Sequence, residues 1–212
     1  MMVTRFTCEI LRGIPVGDIS VQTRLARPGR RVELLEATAS ADGREVARAS
    51  AWRVLRTDSP PVQPRVASPP GVPDQPPIRP PAAWTDGYIS AIEWRQAGGS
   101  LGGPGPATLW ARTRYPIVPD EEPSPLERVL VIADSGSGIS WELDMNSWLF
   151  INPELTVHLH RDAVGEWICL DAQTAISTGG AGLATSVLSD LDGPVGVAAQ
   201  SLLITPRTVR PA

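Results

Sequence analysis

Histidine is nearly missing from this chain, and the shortage removes whole classes of chemistry. Only His158 and His160 occur in 212 residues. Two histidines narrow the acid–base and zinc chemistry that can be built, and the pattern around them narrows it further. No Gly-x-Ser-x-Gly elbow is present, because Ser135-Gly-Ser-Gly138 lacks the spacing and has no evident triad partner. A P-loop is absent, as is a dinucleotide-type glycine pattern after a strand. No apolar run approaches the ~20 residues of a membrane-spanning helix. Cysteine is scarce too: Cys8 and Cys169 each sit in an apolar strand pattern and read as buried, reduced thiols, with a disulfide as the lesser alternative. Charge of either sign is not in excess. A net charge of −4 argues against nucleic acid as the main partner and against a polybasic membrane surface. Met1-Met-Val-Thr-Arg-Phe6 lacks the charged-then-apolar order of a signal peptide, so the expected location is cytoplasmic.

What is present is ample apolar material and abundant turn chemistry. Apolar residues make up 42% of the chain, enough for the core of one domain or of two small fused ones. Residues 4–12, 18–28, 30–41 and 44–56 read as four strands, separated by Gly13 and Pro15, Pro28-Gly29 and Asp42-Gly43. Asp42-Gly43 between two patterned runs is a hairpin signal. Residues 57–84 hold ten prolines and read as an extended linker. Strands are expected at 86–95 and 107–114, around a glycine-rich loop. Four more are expected at 147–160, 166–178, 182–190 and 195–205.

Between them lies one helix. Ser124-Pro-Leu-Glu127 places an N-cap, a proline in the first turn and a capping-box glutamate in order. Leu126, Val129, Leu130, Ala133 and Asp134 follow at helical spacing, and Val131 and Ile132 widen the apolar surface until it runs nearly all round. Such a helix is buried. Gly136 and Gly138 could end it, or Ile139 to Leu143 could continue it.

The two halves share a degenerate repeat. Phe6-Thr-Cys-Glu-Ile-Leu-Arg12 is echoed by Leu155-Thr-Val-His-Leu-His-Arg161, and the turn-plus-strand at Asp42-Gly43 by that at Asp192-Gly193. Two copies of one supersecondary unit are implied. Gln200 in the second copy falls where Ser50 lies in the first, so a site need occur only once. Antiparallel strands around one long apolar helix describe a hotdog fold, and two copies an α+β double hotdog. The first copy is incomplete: strands and a helix precede the meander of the second half, whereas the first half begins with its meander. The expected organisation is an incomplete hotdog half at 1–56, a linker at 57–84 and a second hotdog at 85–212. Val32, Leu34, Val46 and Trp52 would form an uncovered apolar face and favour self-association.

The chain resembles type II acyl-CoA thioesterases and related thioesterase-like proteins. The residues that carry the resemblance are Leu130-Val-Ile-Ala-Asp134, Asn152-Pro-Glu-Leu-Thr-Val-His-Leu-His-Arg161, Gly165-Glu-Trp167 and Ala198-Ala-Gln-Ser201, with Arg30-Arg-Val-Glu-Leu-Leu-Glu36 more loosely. The resemblance implies hydrolysis of acyl-CoA thioesters by a water held between a helix Asp, a strand hydroxyl and a last-strand Gln. Those positions match Asp134, Asn152 and Gln200. Asn152 is a departure, because an amide can hold water but cannot relay a proton as a hydroxyl does.

The residue chemistry is compatible. Asp134 on the apolar stripe of a buried helix would have a raised pKa and make a better base, or would simply face solvent at the helix end. Gln200 shares its strand face with Gly196, Ala198, Leu202 and Ile204 and must find partners there. Strict alternation groups Asn152 with Trp148, Phe150, Thr156 and His158, away from Leu155, Val157 and Leu159, unless Pro153 marks a bulge that re-aims it. His158 and His160 could offer two zinc ligands with only Glu154 as a third, and read as solvent-facing residues. No metal or cofactor is expected. Hotdog hydratases use a histidine near the helix, and none lies between residues 1 and 157. The competing reading is a non-catalytic acyl-CoA-binding or interaction protein.

Overall fold

The computed structural model describes residues 1–62, 67–78 and 87–207. Four strands come first: β1 Met2–Ile10, β2 Ser20–Arg27, β3 Val32–Ala41 and β4 Arg44–Val54. A helical turn, α1 Tyr88–Ala91, leads into β5 Ile92–Gly98 and β6 Ala107–Thr113. Helices α2 Pro125–Ala133 and α3 Gly136–Ile139 follow, then β7 Trp148–Ile151, β8 Glu154–Leu159, β9 Ile168–Ile176, β10 Ala181–Asp190 and β11 Gly193–Pro206.

All eleven strands join one antiparallel sheet in the order β2-β3-β4-β1-β8-β11-β10-β9-β6-β5, with β7 on the side of β11. The two halves meet where β1 pairs β8, Phe6 opposite Val157 and Thr7 opposite Thr156. These are the segments that carry the repeat. The Asp42-Gly43 hairpin forms with both residues at positive φ, 50° and 71°, the primed turn that suits right-twisted strands.

Helices α2 and α3 pack on β6, β9, β10 and β11. Val129, Ile132 and Ala133 of α2 and Ile139 of α3 are buried against Leu109, Ala111, Val157, Ile168, Leu170 and Leu188. Each large side chain so buried contributes about 1.5–3 kcal/mol. The capping box is formed: Ser124 Oγ accepts from Glu127 N at 3.3 Å, and Ser124 N donates to the Glu127 carboxylate at 2.6 Å.

Three expectations need correction. The single long helix is two short ones, nine and four residues, broken at Asp134-Ser135. The segment expected as a strand from 86 begins, where it is described, with a helical turn at 88–91; residue 86 and the linker stretches 63–66 and 79–84 lie outside the described residues. The strand expected over 147–160 is broken at Asn152-Pro153. Pro153 cannot donate to a ladder, and its carbonyl instead accepts from Ile10 N at 2.7 Å.

The apolar face of the first half also differs. Leu34 pairs Trp52, whose ring lies under Arg27, and the same face carries Glu36 and Ser50. Val46 is buried, at 2% exposure. The opposite face is the apolar one: Phe6, Ala51, Leu35 and Leu25 form one cross-strand row, and Cys8, Ala49 and Ala37 the next. It runs into the helix-bearing face of the second half, since Cys8 pairs Leu155. Leu25 and Val21 remain 50% and 61% exposed. The linker lies across the other half: Trp110 Nε1 donates to Pro70 O and Arg95 Nη1 to Pro73 O, each at 2.9 Å, and Ile78 N donates to Trp94 O.

Candidate active site

The break between α2 and α3 puts Asp134 at the C-cap of α2, with φ −65° and ψ −15°. Its Oδ1 accepts from Asn152 Nδ2 and from Gln200 Nε2, both at 3.1 Å. Gln200 also donates to the Asp134 backbone carbonyl at 3.0 Å, and its Oε1 accepts from Ser137 N at 2.9 Å. One buried amide, 1% exposed, thereby grips the helix break at three points. Gln200 finds the partners that its place on an apolar face demands.

Asn152 reaches this site because strand alternation does not run through Pro153. Phe150 faces inward beside Ile204, its β11 partner, and Leu155, Val157 and Leu159 face inward from β8. Even-numbered residues are inside before the break and odd-numbered ones after it. Asn152 follows the β7 parity and turns its amide towards Asp134. Of the three residues singled out from the sequence, the two amides therefore converge on the carboxylate of the third.

Asp134 is exposed along part of its surface. The protein packed around the rest of it raises its pKa above the usual carboxylate value. The two amide donors pull the other way and do not cancel the burial. Among the described residues, both side-chain amides bond Oδ1, and no protein donor bonds Oδ2. A carboxylate oriented through one oxygen and open at the other can bind a water and take a proton from it.

Further residues shape the site. Gly136 lets α3 approach the sheet: a Cβ there would lie 2.8 Å from Ser186 Oγ and 3.0 Å from Gln200 Oε1. Ser140 Oγ donates to Gly136 O at 2.8 Å and lies 2.8 Å from Thr174 Oγ1, fixing the end of α3. Cys8 reaches the site across the β1–β8 junction; burial raises its thiol pKa, and the Asp134 charge adds to the effect. Sequence reading missed Gly136 and Cys8 in these roles, because each depends on which strands become neighbours. His158 and His160 are exposed, and β8 alternation turns His158 away from the Leu155 and Val157 side.

An antiparallel sheet with a short helix pair packed on it fits the architecture of hotdog proteins. The conserved hot dog-fold protein of unknown function from Alicyclobacillus acidocaldarius superposes with a TM-score of 0.77 at 16% identity, over 99% of this chain and 80% of that one. The TesB protein of Mycobacterium avium subsp. paratuberculosis gives 0.71 at 18% identity, over 96% and 79%. Acyl-CoA thioesterase II of Mycobacterium marinum gives 0.68 at 17%, over 99% and 83%. No curated protein sequence matches the chain significantly. Residues 66–204 match the acyl-CoA thioesterase C-terminal domain and residues 2–54 the acyl-CoA thioesterase N-terminal domain. The chain belongs to the acyl-CoA thioesterase family.

Proposed function

We propose that the protein hydrolyses acyl-CoA thioesters with a water held by Asp134, and that Asn152 and Gln200 orient that carboxylate. One observation carries the reading: two amides converge on Asp134 Oδ1 and leave Oδ2 for the water. The water oxygen attacks the thioester carbonyl while Asp134 takes its proton. The C–S bond then breaks, and Asp134 returns the proton to the departing CoA sulfur. A fatty acid and free CoA result, and the carboxylate is regenerated.

The raised pKa suits Asp134 to this exchange, because a stronger base takes the proton more readily. Asn152 contributes a fixed donor and no proton relay. The architecture behind the site is a double hotdog, with its first half at 1–56, a linker at 57–84 and the site-bearing half at 85–212. The two free cysteines fit a reducing, cytoplasmic setting.

The test is release of free thiol from acyl-CoA substrates of graded chain length. Turnover of at least one supports hydrolysis. Saturable binding of acyl-CoA with no thiol release would favour the non-catalytic binding protein.

A further inference from the structure

The helix break that presents Asp134 leaves a carbonyl unpaired, and a distant residue completes it. In a continuing α-helix Ser135 N would donate to Val131 O. Here Ser135 N donates to Ile132 O at 3.0 Å, tightening the last turn. Val131 O is taken by the Tyr88 hydroxyl at 2.6 Å. The same hydroxyl lies 2.7 Å from Ser135 Oγ. With its one proton committed to Val131, the phenol accepts from Ser135. It thus holds the residues on both sides of Asp134.

Tyr88 is itself anchored. It opens α1, where Ala91 N and Ser90 Oγ both donate to Gly87 O. The indole of Trp94, which is fully buried, donates to Ile89 O at 3.1 Å. The core fixes α1, and α1 fixes the phenol. Gln200 grips the break from the sheet and Tyr88 grips it from α1.

We propose that Tyr88 is a positioning residue for Asp134, setting the angle of the helix break and keeping water from entering it. The catalytic consequence rests on the function proposed above; the positioning does not. Two measurements on Tyr88→Phe test it, which removes the hydroxyl and keeps the ring. The first is titration of the Asp134 carboxyl carbon by nuclear magnetic resonance. Loosening of the break hydrates the carboxylate, so its midpoint falls from the raised value towards the ordinary one. The second is a split of the kinetic constants: kcat drops about tenfold, below the ~10²-fold that a 1 Å misplacement of a reacting group can cost, while KM stays within about twofold.

Ser135→Ala, which keeps the bond to Val131, should move the midpoint the same way by less. If Tyr88→Phe does not fold, Ser135→Ala is read in its place. An unmoved Asp134 titration in the folded variant overturns the proposal, whatever the rate does. Wild-type protein that releases no thiol would overturn the functional reading alone, and the carboxyl titration would still decide the role of Tyr88.

Discussion

At the scale of single residues, Asp134 sets the pH behaviour. Its pKa in the folded protein is raised, chiefly by burial. As the proposed base, Asp134 would work ionised, so kcat should rise as pH climbs through that raised value and level off above it. For stability the sign is opposite. A folded carboxyl with a raised pKa binds its proton more tightly than the unfolded chain does, so stability falls as pH rises from the ordinary carboxylate value through the folded one. Asp134→Asn removes the charge and keeps an acceptor for Asn152 and Gln200. Its melting temperature should match or exceed wild type at pH 7, with the gap closing in acid; a clear loss at pH 7 would contradict this. Gln200→Ala leaves Ser137 N and Asp134 without their partner, and an unsatisfied buried group costs about 1–3 kcal/mol. Calorimetry and thiol release should both show the loss. Asn152→Thr should keep or raise activity, since a threonine hydroxyl can still donate to the carboxylate and adds a proton relay. Complete inactivity of the folded variant would show a separate role for the amide. Asp134 and Gln200 were legible in the sequence because each is a polar group on an apolar stripe. Asn152 was legible only as a match to a family position. Its aim depends on the parity change at Pro153, which alternation alone places on the wrong face.

At the scale of elements, the decisive feature is the interruption between α2 and α3. The start of α2 was readable, because capping needs Ser124 and Glu127 at a fixed local spacing and both are there. Ser124→Ala should cost about 1 kcal/mol in thermal unfolding. The end was not readable, since Asp134-Ser135-Gly136 is compatible with a stop or with a continuing helix. Tertiary bonds from Gln200 and Tyr88 decide it. Gly136→Ala tests the packing of α3. Helix propensity alone would make the change favourable by roughly 0.5–1 kcal/mol. The close approach to Ser186 and Gln200 should reverse that sign, with a net loss of about 1–3 kcal/mol as in other overpacked sites. A stabilised variant with full activity would mean that α3 has room to move. The turn α1 escaped sequence reading because its four residues sit against a strand pattern and carry no side-chain cap.

At the scale of the molecule, two halves share one sheet, and the helices pack chiefly on the second. The internal repeat reads as two units, and the β1–β8 junction pairs the echoed segments directly. The side-chain facing of the first half was less legible. Large residues such as Leu34 and Trp52 drew attention, while the inner face is built from small ones, Ala37, Ala49 and Ala51 beside Phe6 and Leu35. With Val21 and Leu25 left exposed along its edge, this face should drive the 212-residue chain to self-associate, giving a mass in light scattering above the 22.7 kDa of one copy. A monomer at all concentrations, with no binding of an apolar dye, would contradict that. The carboxylate at the helix break carries the proposed mechanism. Its most direct measurement is kcat for acyl-CoA hydrolysis by Asp134→Asn against wild type, both shown to be folded. A fall of ~10²-fold or more is expected, the scale of losing a positioned base; a variant that turns over like wild type would contradict the role of Asp134.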